Sequence, residues 1–490
     1  MSGVLPSDWF LTSSETRFQP SHTSGNAVVA LLDGKDYMDK LLSGLRLAGS
    51  NGYIHLSGWR LTPQVKLLGD IPNSPTIKEV IEERSQTGAT IRSLLWMVPL
   101  TFADFAAGHG IENLESAQNM EALNEEVVLD ERLPNIFSSH HQKYCITGDG
   151  NNHIGFIGGM DIALDRWDTS EHNDPVGRQK ELFDGWHDVQ AQLEGPAVAQ
   201  LWDCFFERWN DPRVPNGTAF TAGGKVPVPI PVSERPNING NGTCHVQIVC
   251  TYPCKTRIFS TADQPFYPFA PSGDHSYEKA LIKAIDSSEK YVYIEDQYFW
   301  PCKVVDALVS AAARGVTIIL LVTNNYDVSG LAPFHNFMRQ SSIDKVKRSG
   351  SIFVYTLKQN GVGNDDIYVH SKTMIVDDRY AIIGTANINQ RSMTTDTEIA
   401  VAIVDADIEN STMNGQPYQV NKFAKEYRMK LWLEHLKISI DDPLNSNGTP
   451  AGWPTSISQP VHHANIHVVP DPKFCNAVII PFMNPQTVCI

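Results

Sequence analysis

The sequence predicts an α/β protein made of two similar α-β-α sandwich lobes, related by a pseudo-twofold axis, with the functional site at their interface. Three observations predict it: an internal repeat, strands that alternate with helices in each copy, and one short chemical motif at the equivalent place in both. The repeat is direct. Tyr37 to Trp59, YMDKLLSGLRLAGSNGYIHLSGW, aligns without a gap with Tyr277 to Phe299, YEKALIKAIDSSEKYVYIEDQYF, at an offset of 240 residues.

Each block reads as an amphipathic helix and then a short strand, Tyr53-Ile54-His55-Leu56 or Tyr291-Val292-Tyr293-Ile294. A second helix follows and ends at Gly88 or Gly315, because glycine accepts the left-handed backbone just past a helix. A buried-type strand comes next, Thr90 to Leu95 or Thr317 to Val322. The later parts recur in the same order: FSSHHQKYCI (137–146) with YVHSKTMIV (368–376), IGFIGGMDI (154–162) with AIIGTANIN (381–389), and WHDVQAQL (186–193) with DTEIAVAI (396–403).

This order divides the chain into an N-terminal tail (1–26), a first lobe (27–210), a linker (211–243), a second lobe (244–440) and a largely irregular C-terminal extension packed on the lobes (441–490). The linker is rich in Pro, Gly and Asn, with VPVPIPV and NINGNGT.

With 42% hydrophobic and 19% charged residues, the 490-residue chain reads as soluble, with a core large enough to stand without disulfides. The 39 basic and 55 acidic residues leave a net charge of −16, which opposes wrapping a nucleic acid. One phosphate gripped in a local basic pocket fits that balance better. Met1 to Asn26 carries no signal-like apolar run, and runs such as Thr317 to Thr323 are too short to cross a bilayer. The expectation is therefore a cytoplasmic or peripheral-membrane monomer, or a protein exported without a standard signal. The eight cysteines form no CxxC pair and are expected to be ordinary thiols; Cys250 and Cys254 could bridge or bind metal, but no further zinc ligands stand nearby. The four N-x-S/T sequons, at Asn216, Asn241, Asn410 and Asn447, are read as chance.

The motif in each half is H-x-K: His141-Gln142-Lys143 and His370-Ser371-Lys372. On an extended chain residues i and i+2 share a face, so an imidazole and an ammonium converge on one spot. That pairing suits a phosphate, with Lys neutralising oxygens while His attacks or protonates. One H-x-K is a weak signal; two at matching positions of a repeat are a strong one. A glycine-flanked turn follows each, Gly158-Gly159-Met160-Asp161 and Gly384-Thr385-Ala386-Asn387, where small residues allow close approach of a ligand. Thr385 and Asn387 can donate to phosphate oxygens, and Asp161 holds the place of Asn387 in the first half. Asp188 and Glu398 lie on the next apolar strands, where a carboxylate can accept from one ring nitrogen and orient a histidine. Trp59, Trp167, Tyr298, Phe299 and Trp300 are candidates for substrate contact, with core packing the competing role.

These residues resemble the phospholipase D superfamily, whose signature is H-x-K-x4-D in two copies. His370, Lys372 and Asp377 match it fully. GGMDIALDRWDTSEH, WHDVQAQLEGPA, FFERW, YIEDQYFW and GTANINQRSM are similar to the catalytic core of the plant and animal enzymes, over about Asn26 to Leu436. The first copy departs from the pattern: Gly148 stands where Asp is expected and Asp149 comes one residue later. Thr385 replaces the usual Ser. The resemblance implies hydrolysis of phosphatidylcholine or phosphatidylethanolamine at a membrane or micelle surface, with exchange onto primary alcohols. It implies His141 as nucleophile, forming a phosphohistidine, and His370 as general acid, backed by Lys143 and Lys372. Asp188 would orient His141, and Glu398 His370. Asp149, Asp377, Gly159 and Gly384 would be structural. No metal or cofactor is required, and calcium is not implied. Alternatives are a nuclease-type phosphodiesterase of the same superfamily or an inactive phosphate- or membrane-binding relative.

Overall fold

The structure, a computed structural model, describes residues 4–97, 109–121, 125–133, 138–173, 177, 185–213, 228–254, 267–324, 332–358, 366–454 and 466–468. The first lobe holds strands β1 (Thr23–Leu32), β2 (Tyr53–Gly58), β3 (Thr90–Trp96), β4 (Glu126–Asp130), β5 (Tyr144–Asp149), β6 (Asn152–Gly158), β7 (Gly185–His187) and β8 (Val189–Glu194). Their sheet runs in the order β4-β3-β2-β5-β6-β8-β1, with β2, β3 and β4 parallel and the rest antiparallel.

The second lobe holds β9 (Cys244–Tyr252), β10 (Asp274–His275), β11 (Tyr291–Asp296), β12 (Thr317–Val322), β13 (Ile352–Lys358), β14 (Asp366–Val369), β15 (Thr373–Val376), β16 (Tyr380–Gly384) and β17 (Glu398–Asp405). Its order is β13-β12-β11-β15-β16-β17-β9, with the same parallel and antiparallel steps. Equivalent strands β1 and β9 pair antiparallel through Thr23–Val246 and Asn26–Cys244. Antiparallel pairing of equivalent strands is what a twofold between the lobes produces.

Helices α1 (Pro6–Trp9), α2 (Asp33–Leu45), α3 (Ile77–Gln86), α4 (His109–Glu121), α5 (Ala197–Trp209), α6 (Ser276–Asp286), α7 (Lys303–Ala313), α8 (Ala332–Lys347), α9 (Gln390–Thr394) and α10 (Lys422–Leu436) cover the sheets. The repeated helices α2 and α6 bury Tyr37, Met38, Leu41, Leu42 and Leu45, or Tyr277, Ala280, Leu281, Ala284 and Ile285, at helical spacing. Thr317 to Val322 is apolar throughout because β12 is covered on both faces: Ile319 and Leu321 enter one cluster, Ile318, Leu320 and Val322 the other. Gly88 and Gly315 follow α3 and α7 at φ of 93° and 89°, where a side chain would be strained.

Segments outside the two repeated lobes pack onto them. In the N-terminal segment Trp9, Phe10 and Leu11 are buried in the apolar cluster of the second lobe, and Trp9 stacks on Tyr380 with centroids 5.6 Å apart. Gln247 accepts from the Leu11 N–H and donates to its carbonyl, fixing the segment. Three aromatic or aliphatic side chains in a row gain more by burial than by exposure. In the C-terminal extension, Trp453 packs on Tyr355 and Trp432, and β20 (Ile466–Val468) adds to the edge of β13. Two further strands, β18 (Ile408–Met413) and β19 (Gln416–Asn421), form a separate hairpin. Cys145, Cys204, Cys244, Cys250 and Cys302 are free and buried, whereas Cys254 is disulfide-bonded; since Cys250 is free, the bridge is not the Cys250–Cys254 one left open by the sequence. Tertiary proximity decides such pairing, and spacing along the chain does not reveal it. Cys475, Cys489 and Asn216 lie outside the described residues.

Candidate functional site

Each H-x-K is an extended segment that leads into a strand. His141-Gln142-Lys143 enters β5, and His370-Ser371-Lys372 joins β14 to β15. Alternation along the segment turns the middle residue away: Gln142 donates to Tyr252 Oη and accepts from Arg208. Lys143 Nζ donates to the His141 carbonyl at 3.1 Å and lies 3.3 Å from Asp161. Lys372 Nζ donates to the His370 carbonyl and lies 3.5 Å from Gln297 Oε1.

The lobes are stitched together at these segments by matching backbone bridges. His141 N–H donates to the Thr397 carbonyl at 2.9 Å, and Thr397 N–H to the Ser139 carbonyl at 2.9 Å. On the other side β7 runs parallel to β14, and His370 N–H donates to the His187 carbonyl at 2.8 Å. Each H-x-K therefore lies against the strand of the opposite lobe that leads to a carboxylate. The result is a crossed arrangement. His141 Nδ1 is 3.0 Å from Glu398 Oε2, and His370 Nδ1 is 2.6 Å from Asp188 Oδ2. The sequence expectation, Asp188 with His141 and Glu398 with His370, is reversed, because the neighbour across the interface comes closer than the next strand of the same lobe. With each Nδ1 facing a carboxylate, Nε2 is the ring nitrogen left to react.

The electrostatics follow from burial. Both histidines are held well below the usual imidazole range, first by burial and then by the neighbouring lysines. Lys372 and Lys143 both act on each ring, and His141 also acts on His370, so the four groups share one field. Burial pushes Glu398 up to about 7 against the pull of the Thr385 hydrogen bond and Lys143, and raises Asp188 as well. Burial lowers Lys372 to about 8. The His141 side chain keeps 15% exposure against 8% for His370, so His141 presents the wider face to solvent.

Of the other candidates, some are brought to the site and some are not. Asp161 accepts from the Arg60 N–H at 2.9 Å and faces Lys143, so it holds the lysine; a second anion beside a phosphate would repel it. Thr385 is fully buried and donates to Glu398 Oε2 at 2.5 Å; its hydroxyl is committed to the carboxylate and away from a substrate. Asn387 is 4% exposed, and its side-chain oxygen has no partner among the described residues. Trp167 is packed in the core of the first lobe, against Gly69, which corrects its assignment to substrate. Phe299 and Trp300 are buried too. Trp59 is half-buried, edge-on to His141 at 6.1 Å and 5.6 Å from Lys143 Nζ.

The structural residues have specific duties. A Cβ on Gly159 would sit 2.1 Å from Asp188 Oδ1, so only glycine leaves room for the carboxylate. A Cβ on Gly384 would sit 2.3 Å from Tyr277 Oη. Asp377 accepts three backbone N–H groups, from Glu289 (2.7 Å), Lys290 (2.9 Å) and Tyr291 (2.7 Å), and so fixes the entry to β11. In the first lobe Asp149 accepts from Gly49 at 2.9 Å, and Gly49 is the repeat equivalent of Glu289. The carboxylate displaced by one residue thus reaches the same place, with one hydrogen bond instead of three.

Several residues escaped the sequence reasoning. The Arg166 guanidinium lies 3.8 Å over Trp186, whose ring is tilted against His370 at 5.1 Å. Asp296 accepts from the Ile388, Tyr298 and Phe299 N–H groups and ties the turn of Asn387 to the end of β11. The EDQYF end of the repeat was the available signal for Asp296 and Gln297. Among the described residues the groups spaced like metal ligands are Asp33, His172, His187 and Glu434, and His187, Glu295 and His435; no H-x-K residue is among them.

Comparisons with known proteins find similarity to phospholipase D-type proteins. The family described as "Cardiolipin synthase, PLD-like domain" matches residues 281–414, which span the second H-x-K and Glu398. Phospholipase D1 of Schizosaccharomyces pombe is 25% identical over 86% of this chain and 36% of its own length. Phospholipase D1 of Saccharomyces cerevisiae is 25% identical over 84% of this chain and 29% of its own. Phospholipase D zeta 2 of Arabidopsis thaliana is 23% identical over 86% of this chain and 55% of its own. The chain thus spans between about a third and about half of these relatives. The crystal structure of phosphatidylserine synthase from Haemophilus influenzae Rd KW20 superposes with a TM-score of 0.52 at 12% identity, covering 79% of this chain and 84% of that one, and shares the fold.

Proposed function

Because the chain belongs to the phospholipase D superfamily, we propose that it is a phospholipase D, cleaving glycerophospholipids such as phosphatidylcholine or phosphatidylethanolamine to phosphatidic acid and the free head group. The observation that carries this reading is the crossed pair: two imidazoles from two lobes, each held through Nδ1 by a carboxylate of the other lobe and each followed by a lysine.

In this mechanism His141 Nε2 attacks phosphorus and forms a P–N bond. The P–O bond to the head group breaks, and His370 Nε2–H gives its proton to the leaving oxygen. In the second half the now neutral His370 takes a proton from water. The water oxygen attacks phosphorus, the P–N bond breaks, and phosphatidic acid leaves. Glu398 and Asp188 stabilise the charge that forms on each ring. Lys143 and Lys372 neutralise the non-bridging oxygens. Both rings have depressed proton affinity before substrate binds, and the negative charge of the incoming phosphodiester favours uptake of a proton from solvent by His370, which His370 later donates. A primary alcohol in place of water gives the transfer product.

The test is incubation of phosphatidylcholine and phosphatidylethanolamine vesicles with the protein in dilute ethanol, followed by mass spectrometry. Phosphatidic acid and phosphatidylethanol are the expected products, and both vanish in His141→Asn and His370→Asn. Absence of both products with the unsubstituted protein from pH 5 to pH 9 overturns the reading.

A further inference from the structure

Behind the His370–Asp188 pair lies a buried cluster that the proposed chemistry does not use. His187 immediately precedes Asp188 and sits beneath His370 through its carbonyl. Its Nδ1 faces two carboxylates at once, Asp33 Oδ1 at 3.0 Å and Glu434 Oε1 at 2.8 Å. His172 Nε2 approaches the same Glu434 oxygen at 3.4 Å. These side chains are fully buried or nearly so, and one ligand atom from each of the four lies within 4.8 Å of the others. The elements that supply them are far apart in the chain: the start of α2, the segment before β7, β7 itself and the end of α10.

The outer partners are arranged as around a metal. His187 Nε2 meets Glu295 Oε2 at 2.9 Å, and His172 Nδ1 meets Asp168 Oδ2 at 3.0 Å. A carboxylate behind each imidazole fixes the tautomer and leaves a lone pair on the nitrogen that faces inward. That lone pair would then point at carboxylate oxygens, which is repulsive unless a proton or a metal cation lies between; burial opposes a proton on either ring, and the surrounding carboxylates outweigh it. A proton on His187 Nδ1 lies along one direction and cannot serve Asp33 and Glu434 equally. One ion at roughly 2.0–2.1 Å from four ligands places them about 3.3 Å apart, near the spacings found here. Asp33 Oδ2 and Glu434 Oε2 are also buried without a hydrogen-bond partner among the described residues, so each carboxylate keeps one oxygen that the cluster's own protons do not satisfy.

We propose that Asp33, His172, His187 and Glu434 form a structural site for a divalent cation of the zinc class, closing the first lobe onto the C-terminal helix. Two imidazoles and two carboxylates are a hard-to-borderline set that zinc accepts in tetrahedral geometry. Four protein ligands and full burial leave no open position, so the ion holds the fold and takes no part in turnover.

The test uses the full chain and no lipid. The protein is expressed with zinc in the medium, desalted, and analysed for metal by plasma mass spectrometry; about one zinc per chain is expected, falling at least tenfold in His172→Gln and Glu434→Gln. Should those variants not fold, the unsubstituted chain decides: refolding from denaturant with zinc gives a higher unfolding temperature than refolding with a zinc chelator. A chain that folds cooperatively, retains no metal after refolding in zinc, and melts at the same temperature with chelator overturns the site and leaves the two histidines as buried imidazolium ions. Since neither readout needs catalysis, this outcome is distinct from failure of the proposed activity.

Discussion

His141 and Glu398 stand on opposite lobes, yet Nδ1 of one lies 3.0 Å from Oε2 of the other. The same crossing joins His370 to Asp188. Neither lobe pairs its own H-x-K histidine with its own carboxylate, so the two halves form a working unit only when docked.

The crossing separates the two carboxylates by role. Asp188 serves the general acid, so Asp188→Asn slows release of a poor leaving group such as choline by about 10²–10⁴-fold. It slows release of p-nitrophenol far less, because that leaving group needs no proton. Glu398→Gln acts on the nucleophile and slows both. Steady-state rates of each variant on choline and nitrophenyl esters check this; equal sensitivity of the two variants to the leaving group contradicts it.

The pH profile should be narrow. As pH falls through about 7, Glu398 takes up a proton and His141 loses its anionic partner. As pH rises through about 8, Lys372 loses its charge and the phosphate its counterion. The value of kcat/KM on a soluble phosphodiester is therefore greatest between these limits and falls on either side. Lys372→Arg, with a charge that persists, retains reduced activity and moves the alkaline limb upward.

Asp377 and Asp149 predict unequal stabilities. Asp377→Ala orphans three backbone N–H groups around a buried carboxylate and costs about 3 kcal/mol or more. Asp149→Ala removes one partly exposed hydrogen bond and costs about 1 kcal/mol. Urea unfolding of the two variants gives the comparison.

Gly159→Ala tests the space around Asp188. The added methyl carbon would fall 2.1 Å from Oδ1, so the carboxylate must shift and His370 loses its alignment. The variant stays folded by circular dichroism and shows the leaving-group pattern of Asp188→Asn.

Much of this architecture was legible in the sequence. The ungapped repeat of Tyr37–Trp59 and Tyr277–Phe299 carries the shared strand order, and the paired H-x-K carries the site. The crossing was not legible: Asp188 and Glu398 occupy equivalent places, so pairing within or between lobes fits the same repeat. It is decided by β7 alongside β14 and by the His140–Thr397 bridge, contacts between lobes that leave no periodicity. Thr385 and Trp167 read as substrate contacts because a hydroxyl and an indole beside a motif look alike whether they face inward or outward. The cluster of Asp33, His187 and Glu434 was invisible because its members lie hundreds of residues apart.

The most direct test is rapid quenching of turnover with a radiolabelled phosphodiester at alkaline pH, followed by peptide mapping of the labelled protein. The account predicts a phosphoryl group on His141 that is absent in His141→Asn and persists longer in His370→Asn with a nitrophenyl ester. Label on another residue, or catalysis in His141→Asn at the rate of the unsubstituted protein, would contradict it.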